Sequence, residues 1–200
     1  MFLYNGNNMD NTGERREEVC LWEAMRGGER EALETLFRRY YSPLYDYGIN
    51  LVANANNVKD AIQELFLKLW RDRASLSTPR SIKAYLLVSI RRILMDGKKR
   101  KRKRYQRNRK YIEDAFSRVF TKEDLIVRRE IEEGKRERLV QAINQLSNRQ
   151  KETLFLRYYH GLTNREIAKI MNINYQSVKN NLYRALKNVR GIMESIPNSV

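Results

Sequence analysis

Apolar residues recur at helical spacing along much of this 200-residue chain, and they predict a succession of helices. The clearest is VKDAIQELFLKLWRDR, whose i, i+3, i+4, i+7 apolar positions give one buried face: Ile62, Leu65, Phe66 and Leu69. Similar spacing predicts helices over 14–27, 29–53 and 81–96, with turns at NANN and SLSTPRS. The inward positions of the first and last of these are Val19, Trp22, Met25, Ile82, Leu86, Ile90 and Ile93. Because the sequence has no β-branched runs bounded by turn residues, we expect an all-α fold.

The second half predicts a helix-turn-helix. A helix over 121–146 precedes two capping-box signatures, Ser147–Gln150 and Thr163–Glu166. In each, the hydroxyl and the Gln or Glu side chain satisfy backbone N–H groups at a helix start. They predict a helix that ends at Gly161 and a short helix that ends near Asn172, after which the turn NIN leads into a long basic helix. A short capped helix, a tight turn and a longer helix form a helix-turn-helix.

The last helix has two different faces. Its expected buried stripe is Val178, Leu182, Leu186 and Val189. Its other face carries long cationic and amide side chains and no acid: Gln176, Lys179, Asn180, Tyr183, Arg184 and Lys187. The second helix of such a motif enters the major groove, where Lys and Arg can chelate guanine and Asn and Gln can chelate adenine. The sequence therefore predicts a DNA-reading helix, with an ordinary amphipathic helix as the alternative.

The charge of the chain points to a polyanionic partner. Forty Lys and Arg against 24 Asp and Glu give a formal net charge of +16, which attracts nucleic acid or an anionic membrane surface. Ten of the fourteen residues in 97–110 are Lys or Arg, and none is acidic. Because like charges repel and stay solvated, this run predicts an arm or a domain boundary. A non-specific charge run is the alternative.

Enzyme chemistry has little support in the sequence. His160 is the only histidine and Cys20 the only cysteine, which removes most metal-ligand sets and nucleophile–base pairs. No glycine-rich phosphate loop is present. We therefore expect no catalytic residue, no metal and no cofactor. The N-terminus lacks the features of a signal peptide, and no apolar run approaches the roughly 20 residues of a membrane span, so we expect a cytoplasmic chain without membrane insertion.

Three segments together resemble one protein family. DAIQELFLKLW resembles the core-polymerase-binding helix of bacterial sigma factors, the matching residues being Asp60, Gln63, Glu64, Phe66 and Trp70. AYLLVSIRRILMDGKKRKRK resembles their promoter-melting segment, and LTNREIAKIMNINYQSVKNNLYRALKNV resembles their C-terminal helix-turn-helix. The order and short layout resemble the extracytoplasmic-function (group IV) sigma factors of the sigma-70 family. Departures from the usual pattern are Tyr85 for Trp, Arg92 for Asn, Ser147 for Pro and Asn181 for Arg. The last predicts altered recognition or one phosphate contact fewer.

The resemblance implies a protein that binds core RNA polymerase and directs promoter-specific initiation of transcription. It implies two small helical domains, sigma region 2 over 14–98 and sigma region 4 over 121–195, joined by a basic flexible linker over 99–120. The implied core-polymerase-binding residues are Asp60, Gln63, Glu64 and Leu67. Those for the −10 element are Tyr85, Ser89, Arg92, Lys98 and Lys99, and those for the −35 element are Gln176, Ser177, Lys179, Asn180, Tyr183 and Arg184. The implied partners are core RNA polymerase and promoter DNA, and an anti-sigma factor is left open.

Two other functions stay open on the residues alone. A transcription activator of the response-regulator type has a similar C-terminal helix-turn-helix, but it requires a receiver or ligand domain in front of it. The first half shows no βαβ alternation and no early acidic pair for phosphorylation. A basic RNA-binding or nucleoid protein needs only the charged arm. Co-purification with core RNA polymerase separates the sigma-factor interpretation from both.

Overall fold

A computed structural model describes residues 10–104, 116, 119–120 and 133–195 of the chain, and within these residues every regular element is a helix. The chain divides into two compact units, Met1–Asn108 and Arg109–Val200. The N-terminal unit contains α1 (Asp10–Gly27), α2 (Arg30–Val52), α3 (Ala55–Asp72), a 3-10 turn (Arg73–Ser75) and α4 (Ile82–Arg104). The C-terminal unit contains α5 (Glu133–Asn144), α6 (Asn148–Leu154), a π-helical turn (Phe155–Tyr159), α7 (Asn164–Met171) and α8 (Tyr175–Ser195). The expected all-α fold with two helical domains is confirmed.

The N-terminal unit is built around α2, which packs against α1, α3 and α4. Trp22 and Tyr47 are among the largest fully buried side chains in its core. A close approach of helices occurs at Gly48 of α2, where a Cβ atom would lie 2.8 Å from Val58 Cγ1 and 3.3 Å from Leu94 Cδ1. Because real Cβ atoms do not approach other atoms that closely, the absence of a side chain at Gly48 lets α2, α3 and α4 meet there.

The helix boundaries of this unit differ from the expected ones in three places. The first helix begins at Asp10, before the expected residue 14. The NANN segment is mostly helical, because the Asn54 side chain accepts a hydrogen bond from the backbone N–H of Asn57 (2.9 Å) and so caps α3. The fourth helix continues through Arg104 instead of ending at Asp96, so the first residues of the expected linker, 99–104, are helical. Lys and Arg are good helix formers, which accounts for this extension.

The buried residues of this unit largely follow the expected pattern. Those confirmed as buried are Trp22, Met25, Ile62, Leu65, Phe66, Leu69, Ile82, Leu86 and Ile90. Val19 and Ile93 are only half-buried, and the neighbouring Leu94 is buried instead of Ile93. The core face of α4 is therefore rotated slightly from the expected stripe, because Leu87 and Leu94 contribute to it.

Both capping boxes of the C-terminal unit are present. The Ser147 hydroxyl accepts from the Gln150 N–H (3.4 Å), and the Gln150 side chain accepts from the Ser147 N–H (3.1 Å). Thr163 and Glu166 make the same exchange at 3.3 and 2.8 Å. A left-handed Asn172 (φ 53°) ends α7, as expected. Of the helix expected over 121–146, the described part is α5, and residues 121–132 lie outside the described residues.

The buried stripe of α8 differs from the expected one. Val178, Ala185 and Val189 are buried, Leu182 is half-buried, and Leu186 is 37% exposed. At about 100° per residue, Ala185 and Val189 lie within about 20° of Val178 around the helix, whereas Leu186 is rotated by about 80°. The expectation that Leu186 is buried is therefore wrong, because the small residue beside it lies closer to the centre of the buried face.

Candidate nucleic-acid interface and partner-binding face

Helix α3 carries an exposed polar and acidic face. Its residues Asp60, Gln63, Glu64 and Leu67 are all exposed, as the sequence predicts. Leu67 is 70% exposed and lies among polar side chains. The opposite face of the same helix supplies the core residues named above. We call these four exposed residues the α3 face; they form one surface that a partner protein can contact.

Three of the residues expected to contact the −10 element, Tyr85, Ser89 and Arg92, share one side of α4. Tyr85 and Ser89 are half-buried, and Arg92, two turns after Tyr85, is exposed. The Tyr85 ring packs edge-on against the fully buried Trp22 of α1, with ring centroids 5.4 Å apart and an angle of 77°. The Ser89 hydroxyl donates to the backbone carbonyl of Tyr85 (2.9 Å). Packing thus holds Tyr85 in place while part of its ring stays accessible.

The predicted contacts at Lys98 and Lys99 lie outside the residues whose side chains the structure describes. Their backbone belongs to α4, which continues through Arg104. At about 100° per residue, Lys99 lies about 40° from Tyr85 around α4, whereas Lys98 lies about 140° from Tyr85, on another side of the helix.

A tether that sequence reasoning missed holds the loop before α4. The Thr78 hydroxyl donates to the Glu23 carboxylate on α1, which also pairs with Arg26 (2.6 Å). The hydrogen bond from Thr78, with a further contribution from Arg26, keeps the pKa of Glu23 below its ordinary value against the opposing effect of burial. Arg73 stacks over the Trp70 ring at 4.3 Å. The loop is thus held at Thr78, and the 3-10 turn before it is held at Arg73.

The exposed face of α8 is the best-formed candidate nucleic-acid interface. The expected residues that are exposed on it are Gln176, Lys179, Asn180, Tyr183, Arg184 and Lys187. Tyr183 is 67% exposed. Ser177 is half-buried, and its backbone N–H donates to the Asn174 side chain (2.7 Å), which caps the helix. The structure thus brings together all six face residues and places Ser177 at their edge. No acid interrupts this α8 face.

Two side-chain contacts on α8 were not foreseen. Gln176 Nε2 donates to Asn180 Oδ1 (3.1 Å), one turn further along the exposed face. Asn181 points the other way, and its Nδ2 lies 3.5 Å from the hydroxyl oxygen of the buried Thr153 on α6. That hydroxyl donates to the carbonyl of Arg149 (2.7 Å). Asn181, one of the residues that depart from the family pattern, therefore fastens α8 to α6 instead of extending the α8 face.

The structure gives the single histidine a packing role and offers no support for a metal site or a membrane-spanning helix among the described residues. His160 is buried and packs edge-on against the rings of Phe155 and Tyr159, at 4.8 and 5.3 Å. Among the described residues, no group of three His, Cys, Asp or Glu side chains could hold a metal ion. The search of those same residues found no helix with the length and apolar character needed to cross a membrane.

Comparison with known families decides between the open interpretations. Residues 36–105 match the model of sigma-70 region 2, and residues 136–189 match that of sigma-70 region 4. The first range contains the α3 face and Tyr85, and the second contains the α8 face. The chain belongs to the sigma-70 family. Its function is accordingly that of a sigma factor, promoter-directed initiation of transcription, and sigma factors as a family are not enzymes.

Relatives of this sigma factor define its group. It is 24% identical over 169 residues to the ECF RNA polymerase sigma factor SigK of Mycobacterium ulcerans, covering 84% of this chain and 89% of the relative. It is 26% identical over 174 residues to the ECF RNA polymerase sigma factor BldN of Streptomyces coelicolor, covering 86% of this chain and 64% of the relative. The sigma factor therefore belongs to the extracytoplasmic-function group.

Solved structures support the fold of this sigma factor. It is similar to CnrH in complex with the cytosolic domain of CnrY, with a TM-score of 0.56 and 15% identity, over 90% of this chain and 99% of that one. It is also similar to RpoE from Bartonella quintana in complex with the anti-sigma factor NepR, with a TM-score of 0.53 and 16% identity, over 82% of this chain and 98% of that one.

Proposed function

We propose that this sigma factor binds core RNA polymerase through the α3 face and reads the promoter −35 element through the α8 face. The observation that carries the proposal is the α8 face itself: six exposed cationic, amide and aromatic side chains, without an acid, on the second helix of a doubly capped helix-turn-helix. Major-groove readers present their base contacts in this way.

The α3 face suits a basic helical partner. Asp60 and Glu64 are one turn apart, and within the described residues neither forms an ion pair. Two free carboxylates beside an exposed leucine offer charge complementarity and an apolar anchor together, which a partner surface of opposite charge fits. Core RNA polymerase is the partner that the family implies, and we propose that binding takes place in the cytoplasm.

The α4 surface is proposed to contact the −10 element. Tyr85 is an aromatic on which an extruded base can stack, and Arg92 supplies a cation for the phosphates of a single strand. Ser89, Lys98 and Lys99 complete the proposed set. In this scheme region 2 consists of residues 14–98 and region 4 of residues 121–195, and the linker that joins them is 99–120. Ser177 lies at the edge of the DNA contacts of region 4.

A regulator that binds the free sigma factor is part of the proposal. CnrH and RpoE, which share this fold, are each seen in complex with another protein, and for RpoE that protein is the anti-sigma factor NepR. The exposed side chain of Leu67 gives such a regulator apolar area to bury. We propose that an anti-sigma factor of this kind competes for the α3 face.

The test is binding to core RNA polymerase, followed by transcription from the native promoter. The double variant Asp60→Arg, Glu64→Arg reverses both charges of the α3 face and is expected to weaken binding strongly while helicity is kept. Glu31→Arg with Glu34→Arg, an exposed pair on α2, makes the same change in net charge and serves as the control. Unchanged affinity of the first variant removes α3 from the interface. If both double variants lose the same affinity for core RNA polymerase, the loss comes from the change in net charge and not from the α3 face.

A further inference from the structure

The two amide side chains of the α8 face are joined. Gln176 and Asn180 are both exposed, and Gln176 Nε2 donates to Asn180 Oδ1 at 3.1 Å. The bond uses one of the two lone pairs on Oδ1 and leaves both N–H groups of the Asn180 amide available. Asn180 therefore keeps one acceptor site and two donors for a base, and the acceptor end of its amide is the end held toward Gln176.

The orientation of an asparagine amide decides what it can read. Adenine presents a donor at N6 and an acceptor at N7 in the major groove, and an Asn side chain matches it with one acceptor and one donor in a fixed order. A 180° turn of the amide reverses that order and breaks the match. An isolated exposed Asn interconverts between both orientations, whereas the N–H that Gln176 Nε2 directs at it favours the one with Oδ1 beside Gln176, as long as the Gln176 amide does not turn as well.

We propose that Gln176 is a positioning residue that sets the orientation of the Asn180 amide, so that the two side chains act as one unit that reads an adenine in the −35 element. The inference rests on the proposed function, because it assumes that the α8 face enters the major groove. It goes beyond the proposed function because it assigns an adenine to Asn180 and an indirect, positioning role to Gln176.

The size of the effect follows from the bond. A Gln–Asn pair one turn apart on an exposed helix gives only a small bias, on the order of twofold in population. Two residues in contact within one hydrogen-bond network couple more strongly when DNA fills the site, and the coupling can reach about tenfold in affinity. The preference for adenine at one base pair is therefore expected to fall about two- to tenfold when the bond is removed.

The experiment is selection of −35 variants by core RNA polymerase reconstituted with the full chain. Gln176→Met keeps the size of the side chain and removes the donor, and Gln176→Glu offers only an acceptor, which turns the amide of Asn180 around. Gln176→Lys offers only donors. Gln176→Met and Gln176→Glu are expected to lower the preference for adenine at a single base pair. Gln176→Lys is expected to preserve it. Preference is a ratio between bases, so a uniform change in phosphate attraction cancels.

The same three variants are then made in an Asn180→Ala background. If Gln176 acts through Asn180, none of them changes base preference further, which is the non-additivity expected of a coupled pair. Equal changes in both backgrounds, or an unaltered adenine preference in Gln176→Met, overturn the inference while α8 remains the reader. If Asn180→Ala and Arg184→Ala both select the wild-type sequence with unchanged stringency, α8 is not the reader, and both the proposed function and the inference fall.

Discussion

Leu67 allows the proposed contact of the α3 face with core RNA polymerase to be measured at one exposed apolar side chain. It is 70% exposed on the α3 face, so the free chain gains little from it. We expect Leu67→Ala to weaken binding to core RNA polymerase and to leave the stability of the N-terminal unit nearly unchanged, because exposed substitutions usually alter it by less than about 0.5 kcal/mol.

The magnitude follows from the exposed area. Leu67→Ala removes three carbons, and burial of each is worth about 0.8 kcal/mol. Since 70% of the side chain is exposed, up to about 1.7 kcal/mol remains to be gained at the interface. Each 1.4 kcal/mol is a tenfold change in Kd, so full burial predicts a loss of up to about twentyfold. The assay is titration of fluorescently labelled chain with core RNA polymerase.

The same helix supplies a matched control. Leu65 is two residues away but only 3% exposed, and the same chemical change there creates a cavity that costs about 2–5 kcal/mol of stability. Leu67→Ala should therefore reduce affinity without reducing the urea midpoint of the N-terminal unit, and Leu65→Ala should reduce that midpoint. If Leu67→Ala binds core polymerase as tightly as the wild type, the reasoning about the α3 face is refuted.

Three further results are expected. Arg184→Ala and Lys179→Ala should lower transcription from the native promoter without weakening core binding, and at least one should change the selected −35 sequence at a cost of about 1–3 kcal/mol, measured by selection as above. Replacing Lys98–Arg104 by Gln and Ser should flatten the dependence of promoter binding on salt, since each neutralised phosphate contributes a slope of about −0.9; an identical slope means that this segment does not touch DNA. Thr163→Ala should lower the stability of α7 by about 1 kcal/mol, seen as faster hydrogen exchange there, while Thr163→Asp, which also caps, should not.

Local signals in the sequence predicted their structures well. The capping boxes at Ser147 and Thr163 were predictable because a cap involves residues only three positions apart. The split faces of α3 were predictable because large apolar residues mark one side so regularly. On α8 the same reasoning misplaced Leu186, since the small Ala185 gives almost no signal although it lies at the centre of the buried face. The residue-level roles in binding polymerase and DNA stay predictions.

Contacts between distant parts of the chain could not be predicted in this way. Thr78 and Glu23 are 55 positions apart, and Asn181 and Thr153 are 28 apart. Each pair meets only because the helices pack at particular crossing angles and axial offsets, which the spacing of apolar residues in the sequence does not specify. The continuation of α4 to Arg104 departs from the expectation for another reason: the helix propensity of Lys and Arg outweighs the repulsion between their like charges there.

Gly48 has a consequence for the genetics of this protein. A side chain at that position on α2 would meet Val58 of α3 and Leu94 of α4, so the two helices that carry the proposed polymerase and −10 surfaces would have to shift away from α2. Loss-of-function alleles in the N-terminal unit need not, therefore, alter any residue that touches a partner. In a genetic screen, a substitution at this interior glycine would cause a defect in both polymerase binding and promoter opening. We expect suppressor mutations that replace Val58 or Leu94 with a smaller residue.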